Sequence, residues 1–139
     1  MIKYVNEFDR RNQDGRVSRS YPSELSEPFF EQVFAGIKTI ECRLNKIGDK
    51  WNDISKGDRV TFTPSGIKPG QPGYREVKCL IVMVHIYPTF KSLLEQEGLR
   101  RVLPGVVSID DGVRIYENFY PIQEQIKNGI IGIELQRID

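Results

Sequence analysis

The residues best suited to chemistry lie together in one short segment, Gly36-Ile-Lys-Thr-Ile-Glu-Cys-Arg43. The ammonium of Lys38 and the carboxylate of Glu41 are groups that can bind a polar ligand or transfer a proton. On an ideal strand these two side chains would point to opposite faces, because strand side chains alternate. We expect them to share one cleft if Lys38 lies in the turn before the strand, or if a β-bulge intervenes.

Each of these charged residues also has a purely structural interpretation. Lys38 is either a ligand-anchoring ammonium or a structural Lys paired with Glu41 or Glu97. Arg43 has the same strand parity as Glu41, so the two alternatives for them are a simple ion pair and a ligand-binding pair. Glu97 stands near the predicted C-terminus of a helix, which is an unfavourable place for an anion. We therefore expect Glu97 to have a cationic partner such as Lys38.

The remaining reactive side chains are few. Cys42 and Cys79 are isolated in apolar segments, which is typical of reduced thiols, and we predict a cytoplasmic protein. Because His85 is the single histidine, most zinc sites and His-based catalytic schemes are excluded, and we predict no metal site and no cofactor. A Cys42–His85 nucleophilic pair is the alternative to a buried, inert Cys42. Trp51, in a polar loop, is the best candidate for stacking on a planar ligand.

Length and charge limit the class of protein. The 139 residues fit one domain with one core. Twenty Lys and Arg against nineteen Asp and Glu give a formal net charge of +1. Such a balance argues against binding duplex DNA by phosphate neutralisation alone, so any nucleic-acid contact needs a local patch. We also expect no secretory signal and no membrane span, because no apolar run is long enough.

The elements that must position these residues alternate between strands and short helices. Aromatic residues at helical spacing, with Ser26 as N-cap and Gly36 as terminator, predict the first helix. Further helices are predicted after Thr89 and Ser108, and one or two turns after Pro121. The predicted strands are 38–44, 59–63, 74–87 and 130–138. Met1 to about Pro22 is polar, with a short strand at most at Ile2–Val5, and we interpret 1–25 as a polar N-terminal strand or arm preceding a domain at 26–139.

The motifs around these elements resemble a known family. A short aromatic helix is followed by G-x-K-T-x-E-x-R, then by Trp51 and Gly57-Asp58 before a strand. The similarity continues through 87–99 and Leu103-Pro-Gly105 to the last strand, and so covers roughly 26–138. This ordered series is similar to the ASCH family, a branch of the PUA-like barrels. The resemblance implies an α+β fold: a small PUA-like β-barrel of about five to six strands with inserted short helices.

The resemblance also implies a cleft for RNA or a modified pyrimidine nucleoside. Some small bacterial members of the family remove the acetyl group of N4-acetylcytidine with a Lys, a Thr and a Glu. Lys38 matches the first and Glu97 matches the last, but Glu41 stands where those enzymes have Thr. The expected site therefore comprises Lys38, Glu41 and Glu97 as catalytic groups, with Thr39, Arg43 and Trp51 as ligand-binding groups.

Three functions follow from this resemblance. The first is a cleft that binds RNA or a pyrimidine nucleoside and hydrolyses an N4-acyl cytidine, with Lys38 polarising the carbonyl and a carboxylate activating water. The second is a non-catalytic RNA-binding module, in which Glu41 accepts a hydrogen bond from a cytosine amino group. The third is a ribonuclease, for which the lone His85 supplies no acid–base pair. The sequence does not specify the oligomeric state.

Overall fold

A computed structural model describes residues 10–139 as a curled five-stranded sheet with six helices. The strands are β1 (Ser20–Leu25), β2 (Ile40–Leu44), β3 (Arg59–Pro64), β4 (Val77–Tyr87) and β5 (Ile130–Arg137). The helices are α1 (Phe29–Phe34), α2 (Lys50–Asp53), α3 (Phe90–Glu97), α4 (Leu99–Val102), α5 (Ile109–Phe119) and α6 (Ile122–Asn128). The predicted α+β barrel-like fold is confirmed, in the form of a half-barrel.

The sheet order is β1-β3-β4-β5-β2, so β1 and β2 are its two edges. β1 pairs with β3 in parallel, and the other neighbours are antiparallel. The register of β4 against β5 shifts between Ile81 and Met83, which marks a bulge in the longest strand. Arg43 on β2 donates a hydrogen bond to the Glu24 carbonyl of β1 at 3.4 Å, so the curl of the sheet brings its two edges together.

Two hydrophobic cores cover the two faces of the sheet. Alternation along β5 assigns Ile131 and Ile133 to one core and Ile130 to the other. The first core is inside the half-barrel and includes Phe30 of α1. The second lies under α3 to α6 and includes Phe90. Each fully buried side chain of this kind stabilises the fold by roughly 1.5–3 kcal/mol, so both cores stabilise the packing of the helices on the sheet.

Local signals account for the predicted helices. Gly36 has a φ of +75°, which suits a helix terminator, and α1 ends just before it. Thr89 forms a capping box with Ser92 at the start of α3. The Ser108 side chain accepts a hydrogen bond from the Asp111 amide at the start of α5. These elements begin and end within a few residues of the predicted bounds.

The structure differs from the prediction at the N-terminal side of the domain. The sequence indicates a polar strand or arm over 1–25, with a strand at most at Ile2–Val5, but Ser20–Leu25 forms the edge strand β1, because it pairs with the distant β3. Arg11 is fully buried and donates a hydrogen bond to the Trp51 carbonyl at 2.9 Å. The short strand suggested at Ile2–Val5 lies outside the described residues. Within residues 10–139, none of the helices has the length and apolarity needed to span a bilayer.

Candidate functional site

A cleft of about 90 Å³ opens between the two edge strands of the half-barrel. It is bounded by the end of β1, by α1, by β2 and by the C-terminal half of α5. Its lining comprises Leu25, Ser26, Phe29, Lys38, Glu41, Cys42, Arg43, Tyr116, Phe119 and Tyr120. Charged groups from β2 and aromatic rings from the helices therefore meet in one concave site, as is common for ligand pockets.

Lys38 reaches this cleft from the turn between α1 and β2. Its backbone amide bonds to the Gln32 carbonyl at 3.0 Å, which fixes the turn. The ammonium is 1% exposed and donates to the carbonyls of Ile40 at 2.8 Å and Val102 at 2.5 Å. Two of its three N–H donors are therefore used by the backbone, and one remains to face a carboxylate or a ligand.

The Glu41 carboxylate lies between two cations. Its Oε1 accepts a hydrogen bond from the Cys42 amide at 2.9 Å and is 3.9 Å from the Lys38 ammonium. Its Oε2 is 3.6 Å from the Arg43 guanidinium. Lys38 precedes the first residue of β2, Ile40, so strand alternation does not separate it from Glu41. Of the two conditions for a shared cleft, placement of Lys38 in the turn is the one observed, because the strand predicted at 38–44 begins at Ile40.

Arg43 forms the rim of the cleft and is only partly exposed. Burial alone would lower the pKa of the Arg43 guanidinium, but Glu41 and Tyr120 outweigh it and raise the pKa overall. Its guanidinium carbon lies 5.1 Å from the centre of the Trp51 ring, within cation–π range. Arg43 therefore links the carboxylate in the cleft to the tryptophan beside it.

Trp51 is not available as a stacking platform. It belongs to the short helix α2 and is 5% exposed, because its ring packs into the first core. The Lys50 ammonium lies 5.3 Å from the ring centre, and Arg43 also packs against the ring. The expectation that Trp51 stacks on a ligand from a polar loop is corrected for this reason.

Phe119 is the exposed aromatic residue that the sequence reasoning missed. It lies at the C-terminus of α5, lines the cleft and is 61% exposed. Its neighbour Tyr120 stacks on Phe90 of the core, with ring centres 5.5 Å apart. Helical spacing in the sequence could have indicated this exposed ring. One face of the helix carries Ile109, Val113, Tyr116 and Tyr120, and Phe119 lies beside that face.

Cys42 lines the cleft but has no nucleophilic partner there. Its thiol lies 2.9 Å from the Tyr116 hydroxyl, to which it donates a hydrogen bond. Burial raises the pKa of the Cys42 thiol to about 12. The alternative Cys42–His85 pair has no support, because the carboxylates of Glu97 and Glu134, and not Cys42, flank the His85 ring. Cys42 is a core thiol.

Thr39 and Glu97 are not among the residues that line the cleft. The backbone of Thr39 accepts a hydrogen bond from the Leu135 amide at 2.8 Å and donates one to the Arg101 carbonyl at 3.0 Å. The Glu97 carboxylate accepts hydrogen bonds from the Tyr87 hydroxyl at 2.5 Å and from Arg101 at 3.2 Å. The cationic partner of Glu97 is thus Arg101 and not Lys38, which corrects the expected three-residue site.

The reason for this separation is strand parity. Residues paired directly across antiparallel strands share a face, so Glu41 lies on the face of Ile133 and Glu134 on the face of Ile40. Glu134 and Glu97 are bridged by Arg101, and Glu97 therefore belongs with Glu134. Glu41 and Glu97 serve different sites on opposite faces.

This second group, which we call the His85 cluster, consists of His85, Glu97 and Glu134 with Tyr87 and Arg101 around them. Nδ1 of His85 is 3.6 Å from Glu97 Oε1, and Nε2 is 3.1 Å from Glu134 Oε1. Burial would raise the pKa of Glu134, but hydrogen bonds from Arg101 and His85 outweigh it and lower the pKa. In the part of the chain that the structure describes, His85, Glu97 and Glu134 are the side chains grouped closely enough to hold a metal ion.

Comparison with known proteins identifies close structural relatives. Hypothetical protein PH0355, known from a crystal structure, is 35% identical, with a TM-score of 0.72 over 86% of this chain and 99% of that one. Protein PF0455 from Pyrococcus furiosus, known from a solution NMR structure, is 32% identical, with a TM-score of 0.66 over 86% and 98%. No protein-family model and no curated protein matches the chain.

Neither name states a function, but the identity and coverage exceed what a shared fold alone would give. The chain belongs to the family of small proteins that includes PH0355 and PF0455.

Proposed function

We propose that the chain binds a nucleobase, in RNA or in a modified pyrimidine nucleoside, as an ASCH-type member of the PUA-like barrels. The ordered motif series from the aromatic helix to the last strand supports this family. The half-barrel and the cleft between α1 and the strands agree with what that resemblance implies.

The observation that carries the proposal is the pairing of Glu41 and Arg43 at an aromatic-lined opening. A carboxylate acceptor beside a guanidinium donor complements the edge of a cytosine, whose amino group donates and whose ring carbonyl accepts. The exposed ring of Phe119 offers a face on which the base stacks. Hydrogen bonds then select the base, and stacking supplies affinity.

A second candidate, hydrolysis of an N4-acyl cytidine, is favoured by the 3.9 Å approach of Lys38 to Glu41. In that reaction the free N–H of Lys38 polarises the acyl carbonyl, and Glu41 takes a proton from the attacking water. As the acyl C–N bond breaks, Glu41 returns that proton to the N4 nitrogen, which gives cytidine and the free acid. Water takes the nucleophile's part, because Glu41 occupies the position where the related enzymes have Thr. The backbone carbonyls of Ile40 and Val102 accept hydrogen bonds from the ammonium and so fix its position beside Glu41.

Calorimetric titration with cytidine, N4-acetylcytidine and a short single-stranded RNA tests the binding. Phe119→Ala is expected to weaken binding by about fivefold or more, because base–aromatic stacking contributes about 1–3 kcal/mol. Its matched control is Ile126→Ala, since Ile126 is 70% exposed and outside the cleft lining. Equal affinities for both variants and the wild type would contradict the proposal, as would the absence of binding to all three ligands.

Chromatography of the N4-acetylcytidine mixture separates the two candidates. If the wild type releases cytidine and the Glu41→Gln variant does not, the chain is a hydrolase. If N4-acetylcytidine binds but no cytidine is released, the chain is a non-catalytic binding module.

A further inference from the structure

The His85 cluster brings together three side chains that are distant in the sequence and have no role in the cleft. His85 stands on β4, Glu134 on β5 and Glu97 at the end of α3. One ligand atom from each lies within 4.8 Å of the others. The side chains are 21%, 24% and 8% exposed, so the cluster is reachable from solvent yet partly desolvated.

The spacing within the cluster suits a metal ion. Ligands bound to zinc at about 2.0–2.2 Å in tetrahedral geometry are separated by roughly 3.4 Å. Nε2 of His85 and Oε1 of Glu134 are 3.1 Å apart, and Nδ1 of His85 and Oε1 of Glu97 are 3.6 Å apart. These two contacts are made by opposite nitrogens of the ring, and an imidazole gives only one nitrogen to an ion. With one ligand atom taken from each residue, the three atoms lie within 4.8 Å of one another, so side-chain rotations that close this spacing by about 1 Å place them around one ion.

The surrounding residues hold these ligands in place. His85 pairs across the sheet with Gly132, where an added Cβ would lie 3.0 Å from Leu93, so this glycine lets α3, which carries Glu97, pack closely on the sheet. The Tyr87 hydroxyl donates to Glu97 Oε1, and Arg101 donates to both carboxylates. Hydrogen bonds of this kind orient ligands at established metal sites.

We propose that the His85 cluster binds a divalent transition-metal ion. One nitrogen and two oxygen donors favour an ion such as Zn²⁺ over Ca²⁺ or Mg²⁺, which prefer oxygen ligands alone. Three protein ligands leave a fourth position for water, which is the pattern of catalytic zinc sites. The two carboxylates offset the charge of the ion.

Arg101 supplies the positive charge that offsets the carboxylates in the structure. Its side chain is 45% exposed, so it has room to turn toward solvent when an ion takes over that role. The site is independent of the proposed nucleobase cleft, because none of its three ligand residues lines that cleft.

Calorimetric titration of the chelator-treated full chain with ZnCl₂ tests the proposal. We expect one ion per chain, and at least about tenfold weaker binding in His85→Ala and Glu134→Gln. Glu95→Gln is the matched control, because Glu95 is exposed on the same helix as Glu97, and its affinity should equal that of the wild type. Circular dichroism checks that each variant is folded.

Two outcomes would overturn the metal site. One is the absence of saturable Zn²⁺ binding by the folded wild type. The other is binding that His85→Ala and Glu134→Gln leave unchanged, since the ion would then be held elsewhere on the chain.

Discussion

The ammonium of Lys38 lies 3.9 Å from the carboxylate of Glu41, and both side chains are almost fully buried. The pair also provides hydrogen-bond partners for two backbone groups on the unpaired edge of β2. Lys38 donates to the carbonyl of Ile40, and Glu41 accepts from the amide of Cys42. Unpaired groups on an edge strand otherwise invite pairing with another chain, so these side chains protect the edge while lining the cleft.

Lys38→Met should therefore destabilise the fold. The substitution removes a buried cation and leaves both Glu41 and the Ile40 carbonyl without their partner, which costs about 3 kcal/mol. Urea denaturation measures the change in the free energy of unfolding. Lys91→Met, at an exposed position on α3, is the control and should change that free energy by no more than about 0.5 kcal/mol. Equal stability of the two variants would show that the buried pair contributes little.

Much of the fold and part of the site could be predicted from the sequence, because those features depend on neighbouring residues. Gly36 ends the aromatic helix and leaves Lys38 in a turn, which is why its approach to Glu41 could be anticipated. The capping residues Thr89 and Ser108 likewise act within one turn.

The remaining features depend on residues far apart in the sequence. β1 was missed because its polar sequence becomes a strand only by pairing with β3. The resemblance places Glu97 in one cleft with Glu41, but their relative position depends on the register of β2 against β5, which separates them. The polar loop around Trp51 indicates an exposed ring, although that ring reaches the core.

Both thiols should resist modification in the folded protein. Burial raises the pKa of Cys42 to about 12 and that of Cys79 to about 11, so neither forms a thiolate near neutral pH. We expect a disulfide reagent at pH 8 to label no cysteine in the native chain and two per chain in guanidinium chloride. Rapid labelling of one thiol without denaturant would contradict the buried placement.

The contribution of Arg101 to stability should depend on pH. Because the pKa of Glu134 is lowered in the folded state, its ion pair stabilises the fold above the unfolded-state pKa of about 4.3 and is lost as pH falls through the lower folded value. In metal-free buffer at pH 7, Arg101→Gln should lower the free energy of unfolding by about 0.5–1 kcal/mol, since the pair is partly exposed.

The same variant should lose this effect progressively as the pH falls below about 4 and approaches the lowered folded-state pKa of Glu134. Arg100→Gln, at an exposed neighbouring position, is the control and should show no such pH dependence. A deficit for Arg101→Gln that is the same at pH 7 and pH 3 would argue against a titrating partner.

Backbone amide NMR of the full chain, titrated with a short cytidine-containing single-stranded RNA, tests the nucleobase cleft most directly. We predict saturable shifts that are largest at Glu41, Cys42, Arg43 and Tyr120, which border the opening. Shifts confined to the His85 cluster around Glu97 and Glu134, or no shifts at all, would contradict the proposed cleft.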